Sequence, residues 1–149
     1  MIYEMNKTYN YKFEDVKFDN LDEVSLLKAF MHGSTISRFI ELWLAQNYDK
    51  LMDSDTPEYD LWDFEKKRKV EVKSFTKSGC RFMPSYMIGA GRKLDEEKAY
   101  EYVDGKIFCI VNIKDYPNIW YKFVEGDKLN LDYPKYVIPL KDEKEFFQR

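Results

Sequence analysis

The 149 residues predict a single α/β or α+β sandwich, helices packed on a sheet, and three observations carry that expectation. Apolar residues recur at helical spacing twice before residue 52. Strand patterns follow at 59–64, 70–75, 106–113 and 118–125, and a short acidic helical stretch separates the two pairs. The order helix, helix, hairpin, helix, hairpin is that of a layered mixed fold, and one domain with its own core usually takes about 100 to 150 residues.

The first helix opens at Asn20, which with Glu23 has the spacing of a capping box, and Leu21, Val24, Leu27 and Met31 follow until Gly33. Ser34 or Thr35 can cap the second, in which Ile36, Phe39, Ile40, Trp43 and Leu44 form a one-sided stripe ending near 49–51. A polar loop with Pro57 leads to the strand pair 59–64 and 70–75. From 76 to 92 periodicity disappears, with Gly79, Pro84, Gly89 and Gly91 as punctuation. Residues 94–103 read as an acidic, exposed helix stopped by Asp104-Gly105. The β-branched and aromatic run 106–113 reads as a central strand, joined through Asp115-Tyr116-Pro117 to a strand over 118–125. Residues 136–139 are expected to form a last edge strand.

Composition removes several functions. No apolar run approaches the roughly 18 residues of a membrane helix, and residues 1–11 are polar and aromatic rather than signal-like, so a cytoplasmic protein is expected. Cys80 and Cys109 are far apart, fit no zinc spacing and read as reduced thiols. His32 is the only histidine, which excludes any histidine pair and weakens a Ser-His-Asp triad; its place near a helix end suits a stabilising role. Trp43, Trp62 and Trp120 read as core or interface residues.

The net charge of −3 argues mildly against a nucleic-acid partner, but its distribution does not. Residues 1–65 carry −8, residues 66–93 carry +8 and residues 94–149 carry −3. A polyanion would be drawn to the middle segment and discouraged elsewhere.

That segment holds Val70-Glu71-Val72-Lys73-Ser74-Phe75. Strand alternation puts Glu71 and Lys73 on one face, about 7 Å apart, and Val70 and Val72 on the other, with Ser74. A hairpin in which Phe64 pairs with Lys69 would set Asp60 opposite Lys73 and diagonal to Glu71, with Asp63 facing away. A one-residue slip would turn the strand over. Two converging carboxylates need a cation or a proton, and oxygen-only donors favour Mg²⁺ or Mn²⁺. Asp60, Glu71 and the Val72 carbonyl are then the candidate ligands, with Lys73 holding the attacking water or stabilising charge on the phosphorane. The bare acid-x-Lys pattern occurs six times here, at Asp15, Glu65, Glu71, Glu96, Asp104 and Asp142. Only the context of Glu71 sets it apart, and the competing reading is a solvated strand face of alternating charges.

On Asp60 and Glu71-Val72-Lys73 the chain resembles the PD-(D/E)XK nuclease superfamily, over roughly residues 34 to 113. The resemblance implies an α/β, restriction-endonuclease-like central mixed sheet flanked by helices. It places Asp60, Glu71 and Lys73 on metal-binding and catalytic positions and Glu41 on the glutamate that the family often carries on an early helix. Tyr59 stands where the family's nominal proline would be. On a helical wheel Glu41 lies just outside the apolar stripe, able to reach the sheet edge or to stay exposed. Lys66, Lys67, Arg68, Lys69, Lys77, Arg81, Arg92 and Lys93 are candidate nucleic-acid contacts, with Tyr86 and Phe82 among them, or simply solubilising charges. The expected function is a Mg²⁺-dependent (or Mn²⁺-dependent) DNA endonuclease acting as a homodimer, with RNA as another possible substrate. The alternative is an inactive nuclease-fold module that binds nucleic acid or a protein partner.

Overall fold

The computed structural model describes residues 1–14, 19–30, 33–54, 56, 58–84, 87 and 95–148. In chain order the elements are β1 (Thr8–Lys12), α1 (Glu23–Phe30), α2 (Gly33–Asn47), β2 (Leu51–Asp53), β3 (Leu61–Asp63), β4 (Arg68–Phe75) and β5 (Cys80–Arg81). They continue with α3 (Glu96–Val103), β6 (Ile107–Asn112), β7 (Asn118–Glu125), α4 (Gly126–Asp132), β8 (Val137–Ile138), a 3₁₀ turn (Leu140–Asp142) and α5 (Glu143–Phe147). Six strands form one mixed sheet in the order β1-β7-β6-β4-β3-β2, in which β4 and β6 run parallel and the other neighbours antiparallel.

The expected mixed α/β architecture with helices flanking the sheet is therefore present. Every residue of β6 is buried, which explains its unbroken apolar run: it lies inside the sheet with both faces covered. On one face Val70, Val72, Cys109, Val111, Tyr121 and Phe123 pack with Ile36, Ile40 and Leu44 of α2. On the other, Phe75, Phe108, Ile110 and Val124 pack with Ala99 and Val103 of α3, Leu129 of α4 and Phe146 and Phe147 of α5. The odd and even positions of β4, β6 and β7 thus feed different cores.

Local chemistry explains where the elements depart from expectation. Asp22, not Asn20, caps α1, accepting from the Ser25 amide at 2.8 Å and the Ser25 hydroxyl at 2.9 Å. The N-terminal segment forms edge strand β1, whose Tyr9 ring stacks on Tyr121 at 5.3 Å. Residues 51–53, expected to end a helix and begin a loop, form β2, and 137–138 pair with β5 rather than with an edge of the main sheet. The β6–β7 connection passes through a cis Tyr116–Pro117 bond. Both cysteines are free and buried.

The central hairpin closes differently as well. Asp63 pairs with Arg68 around residues 64–67, so each paired position on β3 meets β4 two residues earlier than the Phe64–Lys69 register would have it. The cause is the Asp63 carboxylate: Oδ1 accepts the amides of Glu65 at 3.0 Å and Lys66 at 2.8 Å, and Lys67 turns the chain with φ 54°. The other oxygen, Oδ2, accepts the buried Tyr3 hydroxyl, whose pKa is raised by burial and by that carboxylate. A two-residue shift preserves which face each residue takes, so Asp60 stays on the face of Glu71 and Lys73. Among the described residues no helix is long and apolar enough to cross a membrane.

Candidate carboxylate and lysine centre

The centre forms where β3 ends. Because β3 begins at Leu61 and its last partner on β4 is Val70, the next outward-facing amide of β4 on that edge, Val72, has no strand to meet. Asp60 fills the gap, its Oδ2 accepting the Val72 amide at 2.8 Å. The carbonyl of a strand residue leaves on the same side as its amide, so the Val72 oxygen opens on this edge too. Continued by one residue, the observed register sets Asp60 level with Glu71 instead of opposite Lys73.

Glu41 arrives from the other side of that edge. It precedes Leu44 by three on α2, a helix anchored by its Ile36, Ile40 and Leu44 stripe, and it is 9% exposed, which removes the exposed-glutamate alternative. Glu71 is 4% exposed. Burial raises both carboxyls, and Asp60, in hydrogen-bonding reach of each, raises them further, Glu41 to about 8 and Glu71 to about 7. Arg38 Nη1 lies 3.7 Å from Glu41 Oε2, while the same guanidinium grips Asp53 of β2 with two bonds of 2.8 Å. Lys73 and Lys106 pull the Glu71 carboxyl back down.

The lysines share one aromatic support. The Lys106 ammonium sits 3.9 Å from the centre of the Tyr102 ring and 3.4 Å from Glu71 Oε1. The Lys73 ammonium sits 5.5 Å from the same ring centre. Glu41, Asp60, Glu71, the Val72 carbonyl and Lys73 are thus gathered at one edge of the sheet. Their chemistry suits a hard divalent cation: every donor is oxygen, burial and Asp60 raise two of the carboxyls, and a strand carbonyl faces the same edge. As they stand, no group of three His, Cys, Asp or Glu side chains among the described residues is arranged to hold a metal ion. One Asp60 oxygen is committed to the Val72 amide and one Glu71 oxygen to Lys106.

No protein-family model matches the chain, and no curated protein or solved structure matches it. The geometry alone bears on function.

The basic residues do not all line this centre. Lys66 and Lys67 are exposed on the hairpin turn, and Lys67 is four strand residues, about 13 Å, along β4 from Glu71. The Lys69 ammonium lies over the Tyr59 ring at 5.4 Å and that of Lys66 over Tyr3 at 5.0 Å. Arg68 has a structural task instead: its guanidinium forks onto Glu125 of β7 and its Nε donates to the Gly105 carbonyl at 2.9 Å. Lys77 and Arg81 are exposed beyond the far end of β4. Arg92, Lys93, Tyr86 and His32 lie outside the described residues. Ser74 faces α2, its hydroxyl 3.3 Å from that of Ser37.

Lys106, Tyr102, Arg38 and Asp53 were not anticipated as parts of this centre. Arg38 had a local signal, standing one helical turn before Glu41. Lys106 had none, because it reaches Glu71 only through the parallel pairing of β4 with β6.

Proposed function

We propose that this protein is a metal-dependent phosphodiesterase acting on nucleic acid, DNA in the first instance, with its reactive centre at Glu41, Asp60, Glu71 and Lys73. The observation that carries the reading is the meeting of three carboxyls, two of them buried and raised, beside the Val72 end of the strand edge, with a lysine on the same strand face. Buried, mutually repelling carboxyls are costly unless a cation or a proton neutralises them. The restriction-endonuclease-like form of the α/β fold, and a homodimer supplying two centres for two strands, belong to the same proposal.

Asp60, Glu71 and the Val72 carbonyl would hold the ion, with Glu41 behind them as a further oxygen donor or as the group that takes a proton. Bound there, Mg²⁺ or Mn²⁺ would polarise the scissile phosphate and lower the pKa of a coordinated water. Lys73 would place its ammonium against the charge that develops on the phosphate oxygens. Lys66 and Lys67 would track the backbone of the bound strand, a contact that weakens with salt. A second reading, a module that binds nucleic acid without cutting it, is favoured by the prior commitment of one Asp60 oxygen and one Glu71 oxygen to protein partners.

The test is incubation with supercoiled, linear and four-way-junction DNA and a matched RNA panel, with and without Mg²⁺ or Mn²⁺. The expected result is cleavage that requires the metal and stops with chelator. Binding without cleavage on every substrate would transfer the assignment to the second reading.

A further inference from the structure

We propose that Lys106 is an internal counter-ion that occupies Glu71 in the metal-free protein and must release it when a divalent cation binds. The inference rests on the metal-site reading of Asp60 and Glu71 but assigns a task to a residue outside the acid-x-Lys strand.

Its basis is positional. Glu71 lies opposite Phe108 in the parallel β4–β6 register, and alternation puts Lys106 on the face of Phe108, diagonal to Glu71. The Glu71 backbone is fixed inside the sheet, so its carboxylate has little freedom to seek another partner. The Lys106 side chain is 12% exposed and that of Glu71 6%, so their 3.4 Å contact is shielded from water and salt. The face of Tyr102, 3.9 Å from the ammonium, gives Lys106 a second resting place. Lys73, on the same strand as Glu71, forms no ion pair with it within 4 Å, and its ammonium is farther from the ring, at 5.5 Å. The two lysines thus divide the work: Lys73 remains available to a substrate phosphate, whereas Lys106 fills a position that a cation needs.

Two cations competing for one oxygen make each weaken the other by the same factor. Charge at Lys106 therefore sets how much metal the centre requires. Once the ion takes the Glu71 oxygen, Lys106 keeps only the ring face.

The test is Mn²⁺ binding by the full chain at pH 8, followed by calorimetry. Lys106→Met retains the stem against Tyr102 and removes the charge, and Lys141→Met removes the same charge from the exposed 3₁₀ turn. Half-saturation is expected at a Mn²⁺ concentration about fivefold lower in Lys106→Met than in the wild type, within the usual range of coupling between sites. Lys141→Met should stay within about twofold, as distant exposed charges are largely screened. In the wild type, crystals with and without bound Mn²⁺ should differ in the Lys106–Glu71 contact, which is 3.4 Å in the metal-free protein and should be lost with the ion in place, a measurement that needs no variant to fold. Unchanged or weaker Mn²⁺ binding by a folded Lys106→Met, or a Lys106–Glu71 contact that persists beside the bound ion, overturns the counter-ion assignment and leaves the metal site standing. Absence of Mn²⁺ binding by the wild type overturns both.

Discussion

Asp60→Asn and Glu71→Gln are each expected to slow metal-dependent cleavage by about 10³-fold or more while leaving the protein folded. Both exchanges keep the shape of the side chain and remove a charged oxygen donor from the centre. A metal-polarised phosphate draws several kcal/mol of transition-state stabilisation from its ion, and about 4 kcal/mol corresponds to about 10³-fold in rate. Asp60→Asn tests more than a ligand: an amide oxygen can still accept the Val72 amide, so the local backbone should persist while the charge is gone. Lys73→Met should lower the rate without raising the metal requirement, because Lys73 is placed to act on the phosphate rather than the ion. First-order rates at saturating Mg²⁺, beside melting curves for each variant, check these expectations. Variants that cut at the wild-type rate would move the reactive centre elsewhere.

The second large effect concerns stability. Burial and Asp60 raise Glu41 to about 8 and Glu71 to about 7, against an ordinary 4.5 for both, so between those values the folded chain holds protons that the unfolded chain has lost. Stability must therefore fall as pH rises, beginning near the unfolded pKa and ending as pH passes the folded values. Arg38 and partial solvent access moderate the cost, leaving a loss of about 2 kcal/mol between pH 5 and pH 9. For a chain of this size that lowers Tm by roughly 4–8 °C, at about 2–4 °C per kcal/mol. Glu41→Gln, neutral throughout, should flatten the decline, and Mg²⁺ should restore stability mainly at the alkaline end, where the carboxylates are ionised. Differential scanning fluorimetry across this range, with and without Mg²⁺, reads all three. A Tm that climbs from pH 5 to pH 9 without metal would contradict the burial of two carboxyls at this edge.

The parts of the centre that sequence made legible are those governed by local periodicity. Alternation along β4 is enough to put Glu71 with Lys73 and to send Val70 and Val72 into the α2 face, whereas the stripe of α2 left Glu41 free to reach the sheet edge or to stay exposed, and only its burial decides between them. The hairpin register was open by two residues because it is decided by one side chain: Asp63 spends its carboxylate on the amides of Glu65 and Lys66 and so closes the turn early. β1 escaped notice because none of its residues is fully buried, and an alternation of tyrosines with asparagine and lysine resembles a polar segment. Lys106 and Tyr102 were invisible for a different reason. Their approach to Glu71 depends on β6 lying parallel to β4 and on α3 crossing that face, contacts between residues some 30 apart in sequence that no local pattern encodes. The basic run 66–69 shows the limit of counting charge: its net excess is real, yet Arg68 is spent on Glu125.

The central claim is that the sheet edge at Asp60 and Glu71 is a divalent-cation site, and anomalous diffraction at the manganese edge from a Mn²⁺-soaked crystal tests it most directly. The account predicts an anomalous peak at about 2.1–2.2 Å from carboxylate oxygens of Asp60 and Glu71 and from the Val72 carbonyl, with Lys106 withdrawn toward Tyr102. A crystal saturated with Mn²⁺ that shows no peak at this edge, with Lys106 still on Glu71, would contradict it.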